Sequence, residues 1–124
     1  MYQSANLARL FTSLVTLVGI IAALPMAAAA AEDPTEVAAA IVDEKYSEHK
    51  MDVKRLFASR CSWCHQGYGM KQADGPRLAG TDLSREKVKD RIARGKSPMP
   101  GFRKQLKPFQ LDALTDYVKA LPAD

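Results

Sequence analysis

Apolar positions recur with the helical period in three stretches of the chain, and no stretch shows the sustained period-two alternation that would argue for strands. The first begins after Asp52, a good cap, where Val53, Leu56 and Phe57 fall at i, i+3 and i+4; this helix runs straight into Cys61. A second is predicted between Ser84 and Ala93, with Val88 and Ile92 on one face and Gly95 placed as the left-handed residue beyond its end. The third opens at Pro108, carries Leu111, Leu114, Tyr117, Val118 and Leu121, and stops before Pro122. Lys107 stands where a Ser or Thr cap is expected, so this helix start looks weakly capped. The pattern predicts an all-α fold.

Upstream, Asp33-Pro34-Thr35-Glu36 reads as a helix start, with Asp33 as N-cap, Pro34 at the first helical position and Glu36 closing a capping box. Val37, Ala40 and Ile41 give that helix a narrow apolar face, and so few apolar positions suggest a solvated extension rather than a docked element. Further upstream, Arg9 precedes an apolar run from Leu10 to Leu24 that ends in Pro25 and a string of alanines. This is the pattern of a secretory signal peptide, with Ala29-Ala30-Ala31 as a cleavage site. An uncleaved anchor is the competing reading, since Leu7 to Ala31 is long enough to span a bilayer. The chain thus divides into a signal at 1–31, an acidic extension at 32–51 and a domain at 52–124.

The 124 residues, 47% apolar and 26% charged, suit one small globular domain. The overall charge of +4 hides an asymmetry: residues 32–51 carry six acids and two bases, and residues 52–124 carry eight acids and fifteen bases. Such a basic domain attracts acidic partners. The bases form no recognised nucleic-acid-binding motif, so nucleic acid is not expected as a partner. Two loops rich in glycine and proline, Gln66 to Thr81 and Lys96 to Lys107, occupy much of the domain. A core this small supplies only roughly 3–5 kcal/mol, so another group is expected to fill its centre.

Cys61-Ser62-Trp63-Cys64-His65 supplies that group, because Cys-x-x-Cys-His is the attachment pattern of c-type haem. Two thiols a helical turn apart can add to the porphyrin's vinyl groups, which sets the next residue, His65, beneath the iron as an axial ligand. A disulfide between Cys61 and Cys64 would close a tiny loop and stabilise little. Zinc would need a fourth ligand, for which only His49 or a carboxylate is available. A thioredoxin-like dithiol belongs beside a strand-helix unit, and none is predicted.

What lies on the second face of the iron separates an electron carrier from a catalyst or gas sensor. Met99 is the candidate: Pro98 and Pro100 restrict its backbone, and it follows His65 by 34 residues, enough for a loop and helix to cross to the other face. A loop methionine filling an apolar gap is the plainer reading, and Met70 and His49 are other sulfur and nitrogen donors. In Gly75-Pro76-Arg77-Leu78 the Pro76 carbonyl is a candidate acceptor for the second ring N–H of His65, within what is otherwise a rigid turn.

In this order, Phe57, the Cys61–His65 motif, Gly75-Pro76-Arg77-Leu78, Met99-Pro100-Gly101-Phe102 and Leu114-x-x-Tyr117-Val118, the chain from about Asp52 to Leu121 resembles the class I c-type cytochromes of bacterial type. The resemblance implies a small cytochrome c fold of three to five helices wrapped around one covalent haem c. It implies that the first and last helices of the domain pack through Val53 and Phe57 against Leu114, Tyr117 and Val118. It also implies that His65 and Met99 ligate the iron and that Pro76 accepts from His65. Four-helix cytochromes carry the motif near the chain's end, whereas here a whole helix follows it. Tyr68, Arg77 and Arg103 are guesses for the haem carboxylates. The function implied is periplasmic electron transfer from a dehydrogenase to a respiratory acceptor, with no catalysis of its own. Redox proteins with acidic docking surfaces are the expected partners, and a membrane only if the N-terminal segment is uncleaved. A dedicated subunit of a flavoprotein or quinoprotein dehydrogenase is the alternative.

Overall fold

The computed structural model describes residues 32–123; the predicted signal or anchor lies outside them. Four α-helices account for the regular structure of these residues: α1 (Pro34–Lys45), α2 (Val53–Arg60), α3 (Arg85–Arg94) and α4 (Pro108–Ala120). Single 3-10 turns lie at Ser47–His49 and Gly67–Gly69, and the one β-type pairing is an isolated bridge between Lys96 and Met99.

The helix ends follow their side chains. Asp33 accepts from the Thr35 N–H at 2.8 Å, Asp52 from that of Arg55 at 2.7 Å, and Ser84 from that of Lys87 at 3.3 Å. Each satisfies an amide that the first helical turn leaves unpaired. Lys107 has no capping side chain, but its own N–H donates to Gln110 Oε1 at 3.0 Å, so α4 is better anchored than its cap residue suggests. Gly95 ends α3 at φ +77, as predicted.

α4 is the centre of the fold: it contacts α1, α2 and α3, and α1 also contacts α2. Phe57 and Tyr117 meet where α2 crosses α4, with ring centroids 5.2 Å apart, and both are essentially inaccessible together with Val53 and Leu114. The Tyr117 hydroxyl keeps a partner in this apolar setting by donating to the Tyr68 carbonyl at 3.1 Å.

The reading of α1 needs correction. It buries Thr35, Ala38, Ala39 and Val42, the last three within the main core, while Val37 and Ile41 of the expected apolar face are 40% and 60% exposed. The segment is therefore a docked part of the fold rather than a solvated extension. Small alanines let the backbones of α1 and its neighbours approach closely, and the larger apolar residues misled the sequence reading. Glu36, expected to close a capping box, instead pairs with Lys54 of α2. At the other end of α1, Lys45 and Tyr46 both donate to Asp116 of α4, which also receives Arg85 of α3; Asp112 receives Arg85 and Lys89. Asp43 adds a third tie by accepting from the Val53 N–H at 2.8 Å.

Candidate haem site

α2 ends at Cys61, whose N–H still donates to the Phe57 carbonyl, and the chain then turns tightly: the Cys64 and His65 N–H groups both donate to the Cys61 carbonyl. The motif is thus wound as a compact turn, with His65 buried beneath it and Trp63 pointing outward, 86% exposed. Burial pushes the Cys61 thiol up to about 12. No disulfide joins Cys61 and Cys64, and among the described residues no three of His, Cys, Asp and Glu converge as a cation site.

The loop after the motif folds back on it. The Gly75 N–H donates to the Cys64 carbonyl at 2.9 Å, bringing the Pro76 carbonyl oxygen to 2.8 Å from His65 Nδ1. A carbonyl can only accept, so the Nδ1 proton is the donor and Nε2 is left with a free lone pair, the form that binds a metal. This approach needs glycine at 75: a Cβ there would stand 2.5 Å from His65 Cε1.

Met99 is positioned by a separate device. The N–H groups of Lys96 and Met99 each donate to the other's carbonyl, across a turn containing a cis Ser97–Pro98 peptide. The chain then doubles back on the end of α3, with Phe102 and Arg103 N–H groups donating to the Ile92 and Ala93 carbonyls. A Cβ at Gly95 would lie 2.5 Å from the Met99 carbonyl, which is why a glycine ends this helix.

Between these two loops lies a cleft. Cys61, His65 and Met99 all line it. The rest of its wall is mostly apolar: Phe57, Leu114 and Val118 from the crossing of α2 and α4, and Leu78, Val88 and Ile92 from the intervening loop and α3. Apolar walls, a thiol, an unprotonated imidazole nitrogen and a thioether are the donor set and surroundings that an iron porphyrin requires, so the residues present fit the group.

Residues 48–118, more than half of the chain, match the family described as "Cytochrome C oxidase, cbb3-type, subunit III". The chain belongs to this family of cytochrome c domains. No curated protein and no solved structure matches it. As a cytochrome c domain it carries covalently bound haem c and serves haem-based electron transfer, and Cys61, Cys64 and His65 are positioned as a Cys-x-x-Cys-His motif. The all-helical structure agrees with a small cytochrome c fold.

The cytochrome's other sequence-predicted residues fall outside the cleft. His49 stacks on Phe109 with ring centroids 3.8 Å apart, and Met70 packs partly buried against the core. None of the residues guessed for the haem carboxylates lines the cleft: Tyr68 lies under the Lys54 ammonium, Arg77 donates to the Ala123 carbonyl, and Arg103 is exposed. Arg91, on α3 beside Ile92, does line it, and is the one Lys or Arg among the described residues that does. The signal was available in the sequence, because position 91 borders the Val88–Ile92 stripe.

Proposed function

We propose that this cytochrome is a periplasmic one-electron carrier in which His65 and Met99 are the axial ligands, accepting electrons from a dehydrogenase and passing them to a respiratory acceptor. The observation that carries this reading is the placement of His65 and Met99, from two separately braced loops, on the wall of one apolar cleft. When bound, the haem supplies the Fe(III)/Fe(II) couple. The chain's contribution is to hold two neutral donors that suit both oxidation states, and methionine ligation favours a raised potential. Pro76 fixes the His65 proton on Nδ1 and the orientation of the ring. Apolar walls keep water from the iron, and Arg91 is the cation available to the haem carboxylates.

Electron carriers of this kind meet their partners through small, charged, transient contacts, and the basic domain favours acidic ones. Export to the periplasm fits both covalent haem and the N-terminal pattern; among the described residues no helix is long and apolar enough to cross a membrane. The deciding experiment is an absorption spectrum of the native and Met99→Ala proteins. Native oxidised protein is expected to show the weak far-red band of sulfur-ligated iron, which the substitution removes. Rapid carbon monoxide binding by native reduced protein would instead show an open site and sink the carrier reading.

A second reading, a resident subunit of a larger oxidoreductase, is favoured by two observations. The family's printed description is that of an oxidase subunit, and Val37 and Ile41 leave an apolar stripe open on α1. Gel filtration of the native material separates the two, since a carrier elutes alone.

A further inference from the structure

Trp63, the chain's single tryptophan, is 86% exposed in the turn between the two haem cysteines. An indole left in water contributes almost nothing to the fold, and exposed tryptophans of this kind are enriched as anchors of protein interfaces. The two chain segments that carry the candidate iron ligands are themselves basic. From Val53 to Ala73, the segment that holds Cys61 and His65, there are four bases and no acid. From Arg91 to Leu111, the segment that holds Met99, there are six bases and no acid. Arg60, next to Cys61, donates to Gln105 at 3.2 Å and so brings Arg103 and Lys104 beside the motif. Neither of these two, nor Lys71 or Lys96, has a carboxylate partner among the described residues. Within these segments Lys54 and Arg94 are paired, with Glu36 and Asp90.

We propose that Trp63 is the apolar anchor of the face through which electrons enter or leave, and that the face fits a redox protein presenting an apolar depression ringed by carboxylates. Long-range attraction comes from the unpaired bases and speeds encounter. The indole then supplies short-range, salt-insensitive contact directly over the attachment turn, which fixes orientation with the iron site near the partner. The proposal rests on the electron-carrier reading.

Voltammetry of the holoprotein on gold tests it, with two coatings as probes: a pure carboxylate-terminated monolayer and a mixed carboxylate- and methyl-terminated one. On the mixed layer at high salt, Trp63→Ala is expected to adsorb at least about tenfold more weakly than the native protein, and Trp63→Phe to stay close to it. On the pure carboxylate layer the three should bind alike and be released by salt. There the double variant Arg103→Gln/Lys104→Gln should weaken binding at low salt. Haem content is measured for each variant, and Trp63→Gln replaces Trp63→Ala in the comparison if the latter does not retain haem. Equal adsorption of native protein and the tryptophan variant on the mixed layer overturns the proposal. Absence of a reversible one-electron wave for native protein on either coating instead overturns the carrier reading itself.

Discussion

Gly75→Ala is the substitution whose cost the structure specifies most directly. The added methyl carbon would stand 2.5 Å from His65 Cε1, 2.8 Å from Nδ1 and 3.0 Å from Nε2. Carbon atoms in good contact sit about 3.5–4.0 Å apart, so the shortest approach is about 1 Å too close, and a methyl has no rotamer by which to escape. The ring cannot yield freely, because Nδ1 is held by the Pro76 carbonyl at 2.8 Å. The turn cannot withdraw freely either, because the Gly75 N–H is bound to the Cys64 carbonyl. Overpacking of this kind costs about 1–3 kcal/mol, and weakening the imidazole hydrogen bond adds about 1 kcal/mol. Gly75 does not need a positive φ, so alanine recovers about 0.4–1 kcal/mol through the unfolded chain. The net expectation is a loss of about 1–3 kcal/mol, or roughly 0.3–1 M in the guanidinium midpoint of the oxidised holoprotein. The far-red iron–sulfur band should weaken as the imidazole is displaced. Pro76→Ala is the control: it keeps the carbonyl and should cost less than about 1 kcal/mol. An unchanged midpoint for Gly75→Ala, or an equal loss for Pro76→Ala, would refute the reasoning.

Asp116→Asn tests the network that docks α1. Despite its partial burial, the hydrogen bonds from Arg85, Lys45 and Tyr46 hold the Asp116 carboxyl at about 2, below the ordinary 3.8. A depressed pKa stabilises the fold fully above the unfolded value and loses that contribution as pH falls from about 4 through about 2. The variant should therefore be less stable by about 2 kcal/mol at neutral pH and match the native protein near pH 2. A gap that is constant with pH would show that the carboxylate's charge is not what matters. Asp52→Ala removes the acceptor for the Arg55 N–H and should cost about 1 kcal/mol in thermal or denaturant unfolding, whereas Lys107→Ala should be nearly silent because Gln110 Oε1 binds the backbone. Met99→His should lower the midpoint potential measured by redox titration, because it replaces a thioether with a more basic donor. A potential left unchanged would place Met99 away from the iron.

The sequence by itself determined the helices and the attachment motif, because both are local. Helical periodicity, caps and a Cys-x-x-Cys-His turn are encoded within a few residues, and α2, α3 and α4 lie where the pattern predicts them. Where the sequence reading failed, the deciding contacts span long separations. The apolar residues Val37 and Ile41 pointed to one face of α1, but Ala38, Ala39 and Val42 are the ones that meet α2 and α4, since only small side chains allow so close a crossing. No spacing rule shows that Glu36 would leave its own helix start for Lys54, or that Lys45, Tyr46 and Arg85 would converge on Asp116. The cleft is of the same kind. Cys61, His65 and Met99 were each visible as donors, but that they share a wall with Arg91, and that Gly75 must lack a side chain to let Pro76 reach His65, depends on how two loops fold against α3 and α4. Local propensity could select the donors; only the packing of distant segments could aim them.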